Sequence, residues 1–297
     1  MPTPPRHRGR FAPSPTGRLH FGSLVAALGS WLFARAAGGR WLVRIEDLDR
    51  EREVAGAAAG IVATLAAFGL ESDEPILLQS ERGAVYAAAL ARLDAGGHAY
   101  RCWCSRSDLE PFGGVHPTRC VAPPDPARPP AWRVRVPARR LGFDDAIQGR
   151  FEQDLRGEAG DFVVWRVEGR AAYQLAVVVD DAAQHVSDVV RGADLLDSTP
   201  RQLLLQELLG LPRPNYAHLP LVVDADGRKL SKHERALPVD ADDPLPALRA
   251  ALAFLGQPVP AAATPARLLA RAARDFDARR IPRASAFAAL RKDVCRT

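Results

Sequence analysis

For a basic protein this chain is short of lysine. Lys and Arg together number 40 in 297 residues, yet the lysines are only Lys229, Lys232 and Lys292. Two of the three fall in the pentapeptide Lys229-Leu230-Ser231-Lys232-His233. In a chain so biased toward arginine, that pair implies a need for compact ammonium groups where a planar guanidinium would not serve. Cysteine is scarce too: four residues are too few for a disulfide scaffold, and as reduced thiols they favour metal binding. No stretch reads as a membrane span. Residues 54–70 are uncharged but mostly Ala and Gly, and Ile61, Leu65 and Phe68 mark one helix face, the pattern of a buried helix. Neither the Walker spacing nor G-x-G-x-x-G is present. Residues 1–9 are polar, basic and proline-rich without an apolar signal core, so a frayed tail and a cytoplasmic protein are expected.

Hydrophobic content of 47% and charged content of 25% fit a soluble globular chain with one large or two modest domains. The net charge of +5 leaves room for a polyanionic partner, although a solvated basic surface gives the same number.

One stretch organises the rest. Arg10-Phe11-Ala12-Pro13-Ser14-Pro15-Thr16-Gly17-Arg18-Leu19-His20-Phe21-Gly22-Ser23 reads as a short strand, a Pro/Gly turn and the first turn of a helix to about residue 37. Leu24, Leu28, Trp31, Leu32 and Arg35 keep the helical period. A helix starting there aims unpaired N–H groups at the strand's carboxyl end, which suits an anion such as phosphate. An ordinary strand–turn–helix corner with a buried histidine has the same pattern.

Residues 40–45 read as a strand, followed by Glu46-Asp47-Leu48-Asp49. Acidic residues at a strand's carboxyl end lie where open α/β sheets bind ligands. For Asp47 and Asp49 the expectation is a helix N-cap, with a helix to about residue 69. A strand near 76–79 and a helix over 82–95 continue the alternation, which argues for a parallel sheet with helices on both faces. From His98 the pattern breaks. Residues 98–104 alternate like a strand, so Cys102 and Cys104 share a face. With His116 and Cys120 they make a C-x-C…H-x-x-x-C set suited to tetrahedral zinc, the alternative being reduced buried cysteines. A proline-dense linker and short alternating pieces then suggest a small mixed insertion over 98–170. Strands are expected again at 172–181, 185–191 and 218–223, with a helix over 200–209 capped by Ser198 or Thr199. Helices near 244–255, 264–274 and 284–291 are expected to form a small terminal bundle.

The two motifs P-S-P-T-G-x-L-H-x-G, ending at Gly22, and K-L-S-K, from Lys229 to Lys232, resemble the "HIGH" and "KMSKS" signatures of class I aminoacyl-tRNA synthetases. The residues around them resemble the glutamyl branch of that class, over nearly the whole chain. The resemblance implies a Rossmann-like doubly wound parallel α/β sheet, split into halves at 10–97 and 171–235. It also implies a zinc-bearing insertion at 98–170 and a helical region at 236–297. It implies that His20 and Lys232 stabilise the phosphates with Lys229 assisting, and that Gly22 lets adenosine approach the backbone. It places Arg10, Phe11, Ala12, Pro13, Ser14, Glu46, Tyr173 and Arg191 around L-glutamate, with Glu46 on the ammonium and Tyr173 and Arg191 on the side chain. An arginine there can take a carboxylate through two parallel hydrogen bonds and matches an amide poorly. Mg²⁺ would accompany ATP. One structural Zn²⁺ would sit on Cys102, Cys104, His116 and Cys120; related sequences typically have tyrosine at the position of His116.

Residues 234–297 cannot house the anticodon-binding region of a full glutamyl-tRNA synthetase. The resemblance therefore narrows to the truncated paralogues, glutamyl-Q tRNA(Asp) synthetases, which activate glutamate without tRNA and transfer it to the queuosine base of tRNA(Asp). A monomer with no membrane partner is expected. Two alternatives stay open: a truncated glutamyl- or glutaminyl-tRNA synthetase charging a 3′ end, and a non-catalytic synthetase-derived RNA-binding module.

Overall fold

The computed structural model describes residues 7–223 and 238–283 and the backbone of 286–287. The chain begins as a regular alternation: β1 (Arg8–Phe11), α1 (Phe21–Ala36), β2 (Arg40–Ile45), α2 (Ala57–Ala67), β3 (Leu77–Leu78) and α3 (Gly83–Ala95). β1 pairs with β2 and β2 with β3, both in parallel. A run of shorter elements follows: β4 (Ala99–Cys102), α4 (Arg106–Leu109), β5 (Ala131–Val134), β6 (Arg140–Asp145), β7 (Gly149–Asp154), α5 (Leu155–Glu158) and β8 (Val163–Trp165). Alternation then resumes with α6 (Tyr173–Ala183), β9 (Asp188–Gly192), α7 (Thr199–Leu208), β10 (Asn215–Leu219) and β11 (Val222–Val223). The chain closes with α8 (Pro244–Phe254), α9 (Pro265–Arg274) and β12 (Ala286–Phe287).

β9 pairs in parallel with β10, which in turn pairs in parallel with β6. β9 runs alongside β1, where the Ser187 N–H donates to Arg8 O at 3.0 Å and the Arg8 N–H to Ser187 Oγ at 2.8 Å. Two sheets, β1-β2-β3 and β7-β6-β10-β9, thus meet side by side at β1 and β9, giving the spatial order β3-β2-β1-β9-β10-β6-β7. From β1 the chain winds first toward β3, then returns to the other side of β1. That reversal between β1 and β9 opens a crevice at their carboxyl ends, the place where doubly wound sheets bind ligands.

Helix α1 covers the sheet with Leu24, Leu28 and Leu32, all fully buried. It lies close because Gly29 has no side chain: a Cβ there would sit 2.5 Å from Leu219 Cδ1 of β10. α8 and α9 add Leu248, Leu252, Leu268 and Leu269 to this same core, so they brace α1 and do not form a bundle apart. A second core joins α3, α6 and α7 through Tyr86, Leu93, Leu175, Leu204 and Leu205.

Several expectations from sequence are corrected. Residues 7–9 are not tail: Arg8 and Gly9 lie in β1, and Arg8 forms an ion pair with Glu74 at 2.8 Å. The segment 172–181 is a helix, α6, and not a strand. The apolar run 175–179 is short enough to fit either state. What separates them is the adjacent pair Asp180 and Asp181, which a strand would send to opposite faces and a helix keeps on neighbouring sides. Both are buried against arginines, as described below. α2 starts later than expected, at Ala57 with Gly56 as its N-cap, so Asp47 and Asp49 do not cap it. Asp47 instead accepts from the Ser80 N–H at 2.8 Å and Oγ–H at 2.6 Å, and Asp49 pairs with Arg52. The expected insertion is not apart from the sheet, since β6 extends it beyond β10. Of the expected helix at 284–291, the described residues Ala286–Phe287 form β12, parallel to β11.

Candidate active site

A cavity of about 500 Å³ occupies the crevice between β1 and β9. Arg10, Phe11, Ala12, Pro13 and Ser14 line it from β1 and the following turn, His20 and Gly22 from the start of α1, Glu46 from the end of β2, Tyr173 from the start of α6 and Arg191 from β9. Ten residues singled out in the sequence thus meet on one cavity. Lys229 and Lys232 lie outside the described residues. The described positions that flank them are at this site: Val222 lines the cavity, and Pro238 forms a β-bridge with His20.

His20 is the N-cap of α1, its Nδ1 accepting the Ser23 N–H at 3.2 Å. The remaining N–H groups of the first turn and the helix dipole give this end of the cavity positive character. Gly22 keeps room beside the histidine, since a Cβ there would come within 3.2 Å of His20 Cε1. The ring of Phe11 stacks on Trp41, so its side chain belongs to the core.

The floor of the cavity is a buried ion network. Arg10 reaches Asp181 through Nε and Nη2 at 3.0 and 3.2 Å. Arg44, fully buried, meets Asp181 at 2.8 Å, Glu46 at 3.2 Å and Asp180 at 3.9 Å. Asp180 also accepts from Gln79, Arg82 and Tyr86. Burial pushes the Asp181 carboxyl up, but Arg10 and Arg44 outweigh burial and hold it below the usual range. For Glu46 burial wins over the same two arginines, and its pKa is raised. These charges compensate one another, which is the condition for burying them at all.

Arg191 does not follow that rule. It is 5% exposed, and its partners are all neutral: Nε donates to His218 Nε2 at 3.1 Å, Nη1 to Tyr173 Oη at 3.3 Å, Nη2 to Thr199 Oγ1 at 2.9 Å and to Leu195 O at 3.5 Å. No carboxylate among the described residues pairs with it. One Nη1 hydrogen remains without a partner among the described residues. A buried guanidinium at a cavity wall, with no counter-charge among the described residues, can be completed by an anionic ligand.

The comparisons with known proteins agree with this fold. Residues 7–114 and 124–263 match the family described as tRNA synthetases class I (E and Q), catalytic domain. The chain belongs to that family. Relatives similar to it are the glutamyl-Q tRNA(Asp) synthetases of Xanthomonas campestris pv. campestris and Ectopseudomonas mendocina. The first is 59% identical over 293 residues, covering 97% of this chain and 98% of that one. The second is 55% identical over 283 residues, covering 94% and 96%. Among solved structures, a glutamate tRNA ligase from Elizabethkingia meningosepticum, in complex with its amino acid, has a TM-score of 0.80 at 27% identity, covering 96% of this chain and 67% of that one. As a class I tRNA synthetase, the protein is a ligase.

Away from the crevice, this class I synthetase carries a second cluster. The ligand atoms of Cys102, Cys104, His116 and Cys120 lie within 4.8 Å of one another, a Cys₃His set that could hold a metal. β4 ends at Cys102, and Cys104 follows it immediately, its N–H directed at Cys102 Sγ at 3.4 Å. His116 Nδ1 donates to Pro117 O at 2.7 Å, which leaves Nε2 as the lone-pair atom, 3.3 Å from Cys102 Sγ. Burial, then Arg133, lowers the His116 pKa and keeps the ring neutral, the ligating form. Arg133 donates to Cys102 Sγ at 3.2 Å and lies among the buried residues. Three thiolates and a divalent ion sum to a single negative charge, which that guanidinium balances. Gly160, at φ +62°, is required here because a Cβ would meet His116 O at 2.5 Å.

Sequence reasoning did not single out Arg44, Asp145, Asp180 or Asp181, and it offered Thr199 only as a helix cap. Ser198 caps α7 without a side-chain bond, and Thr199 instead serves Arg191. No local signal marks such residues, since their partners are remote in sequence; Arg44 and Asp181 are 137 positions apart.

Proposed function

We propose that this enzyme joins L-glutamate to ATP as glutamyl-adenylate without tRNA and then transfers the glutamyl group to the queuosine base of tRNA(Asp). The observation that carries the first half is Arg191, a buried cation on the cavity wall without a carboxylate partner among the described residues. Glutamate brings two carboxylates and one ammonium. Its γ-carboxylate completes Arg191 with help from the Tyr173 hydroxyl, and its ammonium pairs with Glu46. The α-carboxylate is then left toward the His20 end of the cavity. That carboxylate attacks the α-phosphorus of ATP, the bond to the bridging oxygen breaks, and pyrophosphate leaves. The nucleophile is already ionised at neutral pH, so alignment and charge stabilisation do the catalytic work and no general base is needed. The α1 N-terminus, His20, Lys229 and Lys232 supply positive groups for the phosphates, and Gly22 leaves space for adenosine. Bound with the nucleotide, Mg²⁺ would neutralise phosphate charge without a protein cage.

The acceptor rests on the relatives, which are named for it and align end to end with this chain. Purified enzyme should catalyse glutamate-dependent pyrophosphate exchange with no RNA present. It should then label tRNA(Asp) that contains queuosine, and neither queuosine-free tRNA(Asp) nor tRNA(Glu). Labelling of tRNA(Glu) at its 3′ end would establish a truncated glutamyl-tRNA synthetase instead, and absence of all exchange would indicate a non-catalytic module.

Glu46 gives a pH dependence with a fixed sign. The bound ammonium needs Glu46 ionised, so glutamate binding strengthens as pH rises through the free enzyme's raised Glu46 pKa and weakens below it. The Michaelis constant for glutamate should therefore climb on the acid side. Glu46→Gln should raise it about tenfold at neutral pH and flatten the profile, from the loss of one charged hydrogen bond. A profile unchanged by the substitution would remove Glu46 from the ammonium site.

The Cys₃His cluster is assigned to zinc. Four protein ligands leave no open position, so the ion is structural. Metal analysis should return about one zinc per chain, and Cys102→Ser should lose the ion and lower the thermal midpoint. A folded protein free of metal would contradict the assignment.

A further inference from the structure

Arg191 is held from behind by a pair of residues with no other evident task at the site. His218, on β10, is fully buried, and its Nε2 accepts the Arg191 Nε–H at 3.1 Å. Its Nδ1 lies 2.6 Å from Asp145 Oδ2, at the end of β6. The other oxygen, Asp145 Oδ1, accepts the His218 main-chain N–H at 3.1 Å and the N–H groups of Ile147 and Gln148 at 3.0 and 2.8 Å. The carboxylate is thus fixed by its own turn before it meets the ring. Tyr216 stacks on His218 at an interplanar angle of 9°, which sets the plane of the imidazole.

The chemistry of the chain admits one protonation pattern. Asp145 is an ionised acceptor, so His218 Nδ1 must carry a proton. Arg191 Nε–H is a permanent donor, so His218 Nε2 must carry none. Burial, assisted by the arginine charge, lowers the His218 pKa against the pull of Asp145, in keeping with a neutral ring. With Thr199 on Nη2 and Tyr173 on Nη1, the guanidinium plane is pinned at three nitrogens.

We infer that Asp145 and His218 are positioning residues for the side-chain carboxylate of the substrate: together they hold Arg191 in one orientation, with His218 as the Nδ1–H tautomer. The inference rests on the reading of Arg191 as the receptor of the glutamate γ-carboxylate. Neither residue touches substrate. Both act through Arg191, so their removal should weaken glutamate recognition and leave ATP handling alone.

Two readouts test this. In ¹⁵N-histidine NMR of the full-length enzyme, with the resonance assigned through His218→Gln, His218 should be neutral with its proton on Nδ1. Asp145→Asn, whose amide can donate to Nδ1, should transfer that proton to Nε2, where it opposes Arg191. A wild-type proton on Nε2 would overturn the inference. In pyrophosphate exchange, His218→Leu should raise the Michaelis constant for glutamate about tenfold, the worth of one hydrogen bond to a charged group, with kcat and the ATP constant unchanged. His218→Gln, whose Oε1 reaches the place of Nε2, should recover most of that loss. An unchanged glutamate constant in His218→Leu, or no recovery in His218→Gln, would overturn the positioning role. Should His218→Leu fail to fold, Asp145→Asn carries the kinetic test with the same expected split. Wild-type enzyme without any glutamate-dependent exchange would instead overturn the reading of Arg191 itself.

Discussion

Arg191→Ala should raise the Michaelis constant for glutamate in tRNA-free pyrophosphate exchange by about thirtyfold or more, since truncating one partner of a buried charge pair costs about 2–5 kcal/mol. Two features make this the largest binding effect expected. The guanidinium is buried, so its interaction with a carboxylate is little screened. No carboxylate among the described residues competes for it, unlike Arg10 and Arg44, which pair with Asp181. The same substitution should erase discrimination against glutamine. In the native site an amide would leave the Arg191 charge uncompensated and present an N–H₂ to a donor; without Arg191 that penalty disappears. Stability should change little, because Arg191 is itself an uncompensated buried charge in the free protein. Titration of exchange rate against both amino acids, beside a thermal melt, checks all three statements. An unchanged glutamate constant would exclude Arg191 from the pocket.

The second large effect is on turnover. Lys232→Ala should cut exchange by about 10²–10³-fold, the range for removing one preorganised group that stabilises developing charge, with the thermal midpoint unchanged. Two observations favour this lysine. It is one of only three in a chain where every other cationic side chain is arginine, apart from histidine. The chain re-enters the described structure at Pro238, bridged to His20 at the end of the cavity proposed for the phosphates. Lys229→Ala should have a smaller effect of the same kind. Near-normal exchange by Lys232→Ala would refute its role.

What the sequence made legible was whatever local spacing encodes. The prolines and glycine of 13–17 announced the turn before α1, the segment R-W-L-V-R-I at 40–45 announced β2, and C-x-C with H-x-x-x-C announced a cluster whose ligand atoms do converge. The cavity residues were legible through their motifs, although the sheet reversal that collects them was only implied. The failures share a cause. The run from 172 to 179 carries no period that separates a buried strand from a buried helix, and the deciding residues, Asp180 and Asp181, have partners 94 to 171 positions away. Asp47 sat where an N-cap belongs, yet Ser80 offered it two donors and the helix began ten residues later at Ala57. Long-range electrostatics, invisible to any window of sequence, decided each of these, and the same is true of His218 and Asp145, 73 positions apart.

The most direct measurement is a crystal structure of the enzyme with L-glutamate bound. The γ-carboxylate should lie within hydrogen-bonding distance of the Arg191 guanidinium and the Tyr173 hydroxyl, with the ammonium on Glu46 and the α-carboxylate turned toward His20. A glutamate bound in the opposite sense, or bound elsewhere with Arg191 still lacking an anion, would contradict the account.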